Sequence, residues 1–366
     1  MAEQVAQDVD RRRDALVERL FGAVLGMNDL YMVYVGDRLG FYRALVEIGS
    51  ATPAGLSAAA GTHERYTREW LEQQAVTGIL EVEDLGGNAD SRRYHLPDGH
   101  EEVLTERDSL NYLAPFARMM VGIVRPIPAV LEAFRSGGGV PYADFDADFC
   151  EGQSEMNRSQ FVNLLGSEWL PTVPDVHARL RADPPARVAD VACGTGWSSL
   201  ALAAAYPKVR VDGFDLDEYS IELAQRNLAG TDLAGRVSFE VRDAADPVSR
   251  KGYDLVTVFE AIHDMSSPVE ALREMRGLLA DGGSVIVADE RVAESFTAPG
   301  DEVERLMYGW SVLHCLPVGM SDQPSAATGT AMRPETLREY ALAAGFRDVE
   351  ILSIENDFWR FYRLRP

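Results

Sequence analysis

Lysine is nearly absent from this 366-residue chain: Lys208 and Lys251 stand alone, and arginine supplies the other basic groups. We read that skew as codon usage in a GC-rich genome, without mechanistic weight. Positive charge as a whole is scarce. With 35 Lys and Arg against 58 Asp and Glu, the formal net charge is −23, which argues against nucleic acid or an anionic membrane as a partner. Cysteine is sparse too. Cys150, Cys193 and Cys315 are far apart and odd in number, giving neither a disulfide framework nor a zinc spacing, so no metal is expected. A long uninterrupted apolar run is also missing. The stretch from Leu113 to Phe134 contains Arg118, Arg125, Pro126 and Pro128, and this excludes it as a membrane span. The start of the chain is charged from Asp8 to Arg13 and does not read as a signal peptide. A cytoplasmic protein is expected. What remains, 46% apolar and 25% charged residues, is ordinary globular composition at a length sufficient for two domains.

The most informative stretch is Val188 to Ser199. It reads as a short buried strand, a tight turn through Gly194 and Gly196, and the start of a helix. Glycines let the backbone approach a ligand, and the unpaired N–H groups of the helix suit a carboxylate or phosphate. A second strand, Val209 to Phe214, ends at Asp215, where βαβ units grip ribose hydroxyls. Ser199 occupies the third glycine position of the dinucleotide fingerprint, so a cofactor lacking a pyrophosphate is expected. A third strand, Val237 to Val241, runs into Arg242-Asp243-Ala244, and a fourth, Tyr253 to Phe259, leads to Glu260-Ala261-Ile262-His263-Asp264-Met265. Next come a helix from Pro268 to Leu279 stopped by Asp281-Gly282-Gly283, a strand from Ser284 to Ala288 ending in Asp289-Glu290, a helix near Pro334 to Ala344, and two closing strands. This alternation predicts an α/β sheet with helices on both faces and ligands at the carboxyl ends of the strands.

The order of glycine loop, ribose acid, adenine-side acid and post-strand-four segment, from Asp190 to about Gly283, resembles the class I S-adenosylmethionine (SAM) dependent methyltransferases. The resemblance implies a Rossmann-like domain of seven strands, the last antiparallel, with SAM as cofactor and S-adenosylhomocysteine as product. On that reading Asp190, Ala192, Gly194 and Gly196 surround the methionine part, and Asp215 takes the ribose diol. Leu216 flanks the adenine, Asp243 and Ala244 meet its edge, and Glu260 belongs to the same cofactor site. Ala192 stands where many relatives have glycine. Asp215 could instead cap the helix that begins near Asp217-Glu218.

The N-terminal part reads as helical from Arg11 to Val46, with Leu16, Leu20, Val24, Met27 and Tyr31 at spacings of three and four. A short helix opens at Thr52-Pro53, a third carries Tyr66, Trp70 and Leu71, and two strands follow at Gly78–Glu83 and Arg92–Leu96. Helix-turn-helix plus hairpin is a winged-helix pattern. Arg65 and Arg68 invite a DNA-binding reading, but Glu64, Glu69 and Glu72 share their helix. A dimerisation module fits the charge better. Such domains precede the catalytic domain in the plant caffeate-type and bacterial hydroxyneurosporene-type O-methyltransferases, which this chain resembles in layout, so a homodimer is expected. The division read from sequence is residues 1–108 as a mainly helical winged-helix domain, 109–181 as a helical connector reaching the substrate pocket, and 182–366 as the catalytic domain. Glu155 to Leu165 in the connector carries Met156, Phe161 and Leu165, suited to either core or pocket.

Methyl transfer from a sulfonium requires in-line alignment, exclusion of water and removal of a proton from a hydroxyl acceptor. Caffeate-type enzymes carry a His-Asp-Trp motif after strand four whose histidine is the base, so the resemblance nominates His263; Met265 replaces the tryptophan. Asp289 or Glu290 would orient the imidazole. His314 is a second candidate, and Met307, Trp310 and His314 would wall an apolar substrate pocket. Ordinary packing explains those three as readily. The absence of Asn-Pro-Pro-Tyr or Asp-Pro-Pro-Tyr after strand four disfavours base or amide nitrogen as the methylated atom. The expected function is therefore methylation of a small molecule, first at a hydroxyl oxygen. N- or C-methylation and a SAM-binding winged-helix regulator are the alternatives.

Overall fold

The computed structural model describes residues 2–247 and 251–366, and the chain forms two compact units, Met1–Val121 and Gly122–Pro366. Residues 109–121 thus fall with the N-terminal unit and 122–181 with the C-terminal one.

In the first unit the helix expected over Arg11–Val46 is two helices, Ala2–Arg38 and Phe41–Ile48. The break falls at Gly40, whose φ of 70° is a left-handed conformation that glycine adopts without steric cost. Helix Pro53–Ala60 starts as its sequence predicts: Thr52 Oγ1 accepts from Gly55 N at 3.2 Å, and Pro53 occupies the first turn. Helix Glu64–Val76 follows, then β1 (Glu81–Val82) and β2 (Tyr94–His95), paired antiparallel as a short wing. Phe41, Tyr42, Leu56, Trp70, Leu71 and Tyr94 form the core. Trp70 Nε1 donates to Met32 O at 2.9 Å and fastens the long helix to it. Further up, that helix leaves Leu16, Leu20, Phe21, Val24 and Leu25 exposed.

The second unit opens with helices Ile127–Ser136 and Ala147–Gln160, a wider π-helical turn at Phe161–Trp169 and helix Pro174–Arg181. Its sheet comprises β3 (Arg187–Val191), β4 (Arg210–Asp215), β5 (Val237–Val241), β6 (Tyr253–Phe259), β7 (Leu279–Glu290), β8 (Asp348–Ile351) and β9 (Trp359–Arg365). The spatial order is β5-β4-β3-β6-β7-β9-β8, with β9 antiparallel to both neighbours. Strand order reverses between β3 and β6, which opens a crevice at their carboxyl ends, where α/β sheets bind ligands. The central strands are buried on both faces, with separate cores around Leu202, Leu255 and Trp359 on one side and Leu272, Val287 and Tyr362 on the other. One boundary differs from expectation. Helix Pro268–Leu278 passes directly into β7, so Asp281-Gly282-Gly283 lies within the strand, where its pairing with β6 is irregular. Gly282 has φ 82°, and a Cβ on Gly283 would meet Tyr253 O at 2.9 Å; the glycines shape a bulge and do not end the helix. Among the described residues no single helix is long and apolar enough to cross a membrane.

Candidate active site

The loop after β3 turns through three left-handed residues, Ala192 (φ 53°), Gly194 (52°) and Gly196 (84°). Gly196 has a second constraint, since a Cβ there would collide with the Phe239 ring. Beneath the loop lies Asp190, fully buried. Its carboxylate accepts from Ser198 and Ser199 Oγ, both at 2.6 Å, and from Thr257 Oγ1 at 2.7 Å. Burial raises its pKa and the three hydroxyls oppose the shift. Asp190 thereby ties β3, β6 and the following helix together. At the end of β4, Asp215 accepts from Gly194 N at 2.7 Å and Asp217 N at 2.9 Å. Desolvation outweighs these bonds and pushes it up to about 6. The helix cap that Asp215 might have been is Asp217, which accepts from Ser220 N at 2.8 Å.

A cavity of about 550 Å³ opens above these strand ends. Ala192, Gly194, Asp215, Leu216, Asp243, Ala244 and Glu260 line it, as do Thr195, Trp197, Arg242 and Asp264. Asp190, Gly196, His263, Asp289, Glu290, Met307, Trp310 and His314 stand outside its lining. The opposite wall comes from helix Ala147–Gln160 and the turn after it: Cys150, Ser154, Asn157 and Phe161 face the cavity. Their spacing of four, three and four marks one helical face. A small-polar face ending in an aromatic, on a helix otherwise charged, is the signal from which these residues could have been found. Ser154 and Thr195 share a hydroxyl hydrogen bond. Asn157 Nδ2 donates to Glu260 Oε2, and Trp359 Nε1 to Glu260 Oε1 at 2.6 Å. Burial raises the pKa of Glu260 against those two donors. Its φ of 50° is a strained value for a residue with a Cβ.

Behind the wall sits the cluster that the sequence nominated for proton transfer. His263 is 2% exposed; its Nδ1 is 2.7 Å from Asp289 Oδ1 and its Nε2 is 3.2 Å from Asp264 Oδ1. Burial alone would lower the imidazole pKa, but the two carboxylates raise it well above its ordinary value. The two carboxylates thus favour the charged form of the imidazole, and Asp264, not His263, lines the cavity. Glu290 is buried beside Glu260, and both desolvation and that neighbouring acid raise its pKa strongly. His314 is packed against Phe149 (ring centroids 4.2 Å), Phe145 (4.4 Å) and Tyr142 (5.6 Å). Burial pushes it down to about 4, so it is neutral. Met307 is buried and Trp310 half-buried.

Comparison with known proteins agrees with this architecture. A family described as "Methyltransferase domain" matches residues 182–324, and one described as "Rv2258c-like winged HTH domain" matches 29–106. A demethylmenaquinone methyltransferase of Clavibacter sepedonicus is 32% identical over 216 residues, covering 56% of this chain and 82% of that protein. A ubiquinone/menaquinone biosynthesis C-methyltransferase UbiE of Geotalea daltonii is 29% identical over 142 residues, 38% of this chain; the chain spans only 58% of that relative. Among solved structures, human N-acetylserotonin methyltransferase in complex with SAM superposes with a TM-score of 0.67 at 18% identity, covering 96% of this chain and 97% of that one. An O-methyltransferase family protein of Burkholderia thailandensis gives 0.66 at 18%, covering 95% and 97%. The chain belongs to the class I SAM-dependent methyltransferases. Within that class it is one that carries an N-terminal winged-helix domain.

The site fits the cofactor named in the family. A Cβ added at Gly194 would meet no protein atom within 4 Å, so the loop backbone itself faces the cavity. Asp215 and Asp243 place carboxylates on the cavity lining at the ends of β4 and β5.

Proposed function

We propose that this chain methylates a small-molecule acceptor at a hydroxyl oxygen, with SAM held by the β3 loop, Asp215, Asp243 and Glu260. The cofactor supplies a methyl group on a sulfonium, open to in-line displacement. The observation that carries the reading is the charged array Asp289–His263–Asp264, reaching the cavity through Asp264. A carboxylate stands against each ring nitrogen of His263, an arrangement that favours holding a proton taken from an acceptor. Asp264 is the member that meets the acceptor, and His263 with Asp289 behind it sets its orientation and charge. His263 thus serves as part of the base and not as its exposed face. A carboxylate-fronted array works best on readily ionised hydroxyls such as phenols and hydroxyquinones.

The second reading is C-methylation, favoured by the name of the Geotalea relative. A screen of phenolic and quinol acceptors with methyl-labelled SAM tests both. A product whose label is on oxygen supports the first reading; label on a ring carbon replaces it with the second. Absence of SAM binding by calorimetry, in wild type as in Asp215→Ala, would overturn the enzyme reading altogether.

The exposed apolar run on helix Ala2–Arg38 supports a homodimer through the N-terminal unit. DNA binding is less well supported. On helix Glu64–Val76, Arg65 pairs with Glu69 at 2.5 Å and Arg68 with Asp90 at 2.6 Å, so an acidic neighbour offsets the charge of each guanidinium. Light scattering of wild type and Leu20→Asp tests the assembly: a dimer converted to monomer supports it, and a wild-type monomer refutes it.

A further inference from the structure

We propose that Gly139 and Gly319 are positioning residues that tie the placement of Asp264 to occupancy of the cofactor end of the cavity, with Tyr142 as the side chain that senses the cofactor. The inference rests on the reading of that cavity as a SAM site with Asp264 at its acceptor end.

Three segments from distant parts of the chain meet here backbone to backbone. Residues 137–142 leave helix Ile127–Ser136 at the left-handed Gly137 (φ 76°). They lie against the short helix Leu316–Gly319, which in turn lies against the loop after β6. Val140 is 1% exposed and donates its N–H to Pro317 O at 2.9 Å. A Cβ on Gly139 would stand 2.2 Å from Ser321 N and 2.4 Å from Pro317 O. A Cβ on Gly319 would stand 3.3 Å from Asp264 O. Neither glycine has a positive φ, so space and not conformation requires them. Ala326 N donates to Ser266 O at 2.8 Å and closes the stack. Backbone cannot swing aside as the tip of a side chain can, so a shift of one layer passes to the next.

Side chains follow a parallel route. Tyr142 lines the cavity, and its hydroxyl shares a hydrogen bond with Cys150 and feels the charges of Asp215 and Asp217. Its ring meets His314 edge-on at 5.6 Å between centroids. His314 Nδ1 stands 3.9 Å from Asp264 Oδ2. A cofactor seated against Tyr142 therefore bears on Asp264 by two routes, neither of which runs through the β3 loop.

The test is amide hydrogen exchange, resolved to single residues, on the full-length protein with and without S-adenosylhomocysteine. In wild type the ligand is expected to slow exchange at Val140, Asp264, Met265 and Ala326 together. Gly139→Ala should lose that protection while the core amides of β3 and β6 exchange as in wild type, which separates a broken link from a general loss of fold. Gly138→Ala should keep it, because a Cβ there has only Ser136 Oγ at 3.4 Å nearby. Tyr142→Ala, saturated with ligand, should lose the protection at Asp264 and Met265. If Gly139→Ala does not fold, the milder Gly319→Ala supplies the same readout. Protection at Asp264 and Met265 that survives in both Gly139→Ala and Tyr142→Ala, or that is lost equally in Gly138→Ala, overturns the proposal. So does wild-type protection confined to the β3 loop. A wild-type protein that binds no ligand by calorimetry overturns the cofactor reading, and this inference with it.

Discussion

Trp359 Nε1 lies 2.6 Å from Glu260 Oε1, so the antiparallel strand of the sheet is bonded directly to the wall of the cavity. Asn157 holds the other oxygen of the same carboxylate from the opposite side. Glu260 is therefore a joint between β9, β6 and helix Ala147–Gln160, kept in its left-handed backbone by its side-chain partners.

Replacing Trp359 by Phe removes one donor and leaves a buried acceptor unpaired. The expected cost is about 1–3 kcal/mol of stability, accompanied by weaker SAM binding because the cavity wall loosens. Denaturant melts and calorimetry measure the two effects. Unchanged values in both would mean that the bond holds nothing in place.

Asp215 gives SAM affinity a pH dependence. Its carboxylate ionises at about 6 in the fold, and the ionised form is the one that accepts from ribose hydroxyls. Affinity should therefore be steady above pH 6 and fall as pH drops through it. For the unliganded protein the sign is opposite. A raised acid contributes stability at low pH that is lost as pH rises from the unfolded value of about 4 through 6. Calorimetric titration from pH 5 to pH 8 checks the affinity profile, and Asp215→Asn should flatten it.

Asp264→Asn and His263→Gln should each lower kcat by about 10²–10⁴-fold and leave SAM affinity within a factor of a few. Neither Asp264 nor His263 belongs to the proposed cofactor contacts. If His263→Gln turns over at the wild-type rate on a hydroxyl acceptor, the array has no part in proton removal.

Ala192→Gly is expected to stabilise the protein slightly. A residue with a Cβ at φ 53° costs about 1–2 kcal/mol, and this exceeds the ~0.5–1 kcal/mol that glycine's unfolded-state freedom takes back. A lowered melting temperature would show that the Ala192 methyl makes contacts worth more than the strain.

The architecture was legible in the sequence because each strand end carries a local mark. Gly194 and Gly196 announce the β3 turn, and Asp215 and Asp243 sit at the ends of β4 and β5. The cavity wall from Cys150 to Phe161 was less legible, because a helical face of small polar residues is ambiguous until something is seen to stand opposite. His263 was legible as a candidate but its seclusion was not. Its burial depends on Asp289 and Cys315, brought in by distant segments. Met307 and Trp310 were marked by apolar character alone, which cannot distinguish a pocket wall from core packing, and His314, also a candidate for proton transfer, is packed against Phe145 and Phe149.

Trp197 lies on the cavity wall with the Arg158 guanidinium 4.6 Å from its ring centre, and its Nε1 has no hydrogen-bond partner among the described residues. An indole so placed has an emission set by the charge and dielectric beside it. The molecule therefore carries its own optical gauge: occupancy of the cavity should be readable as a change in intrinsic fluorescence, without label or coupled assay.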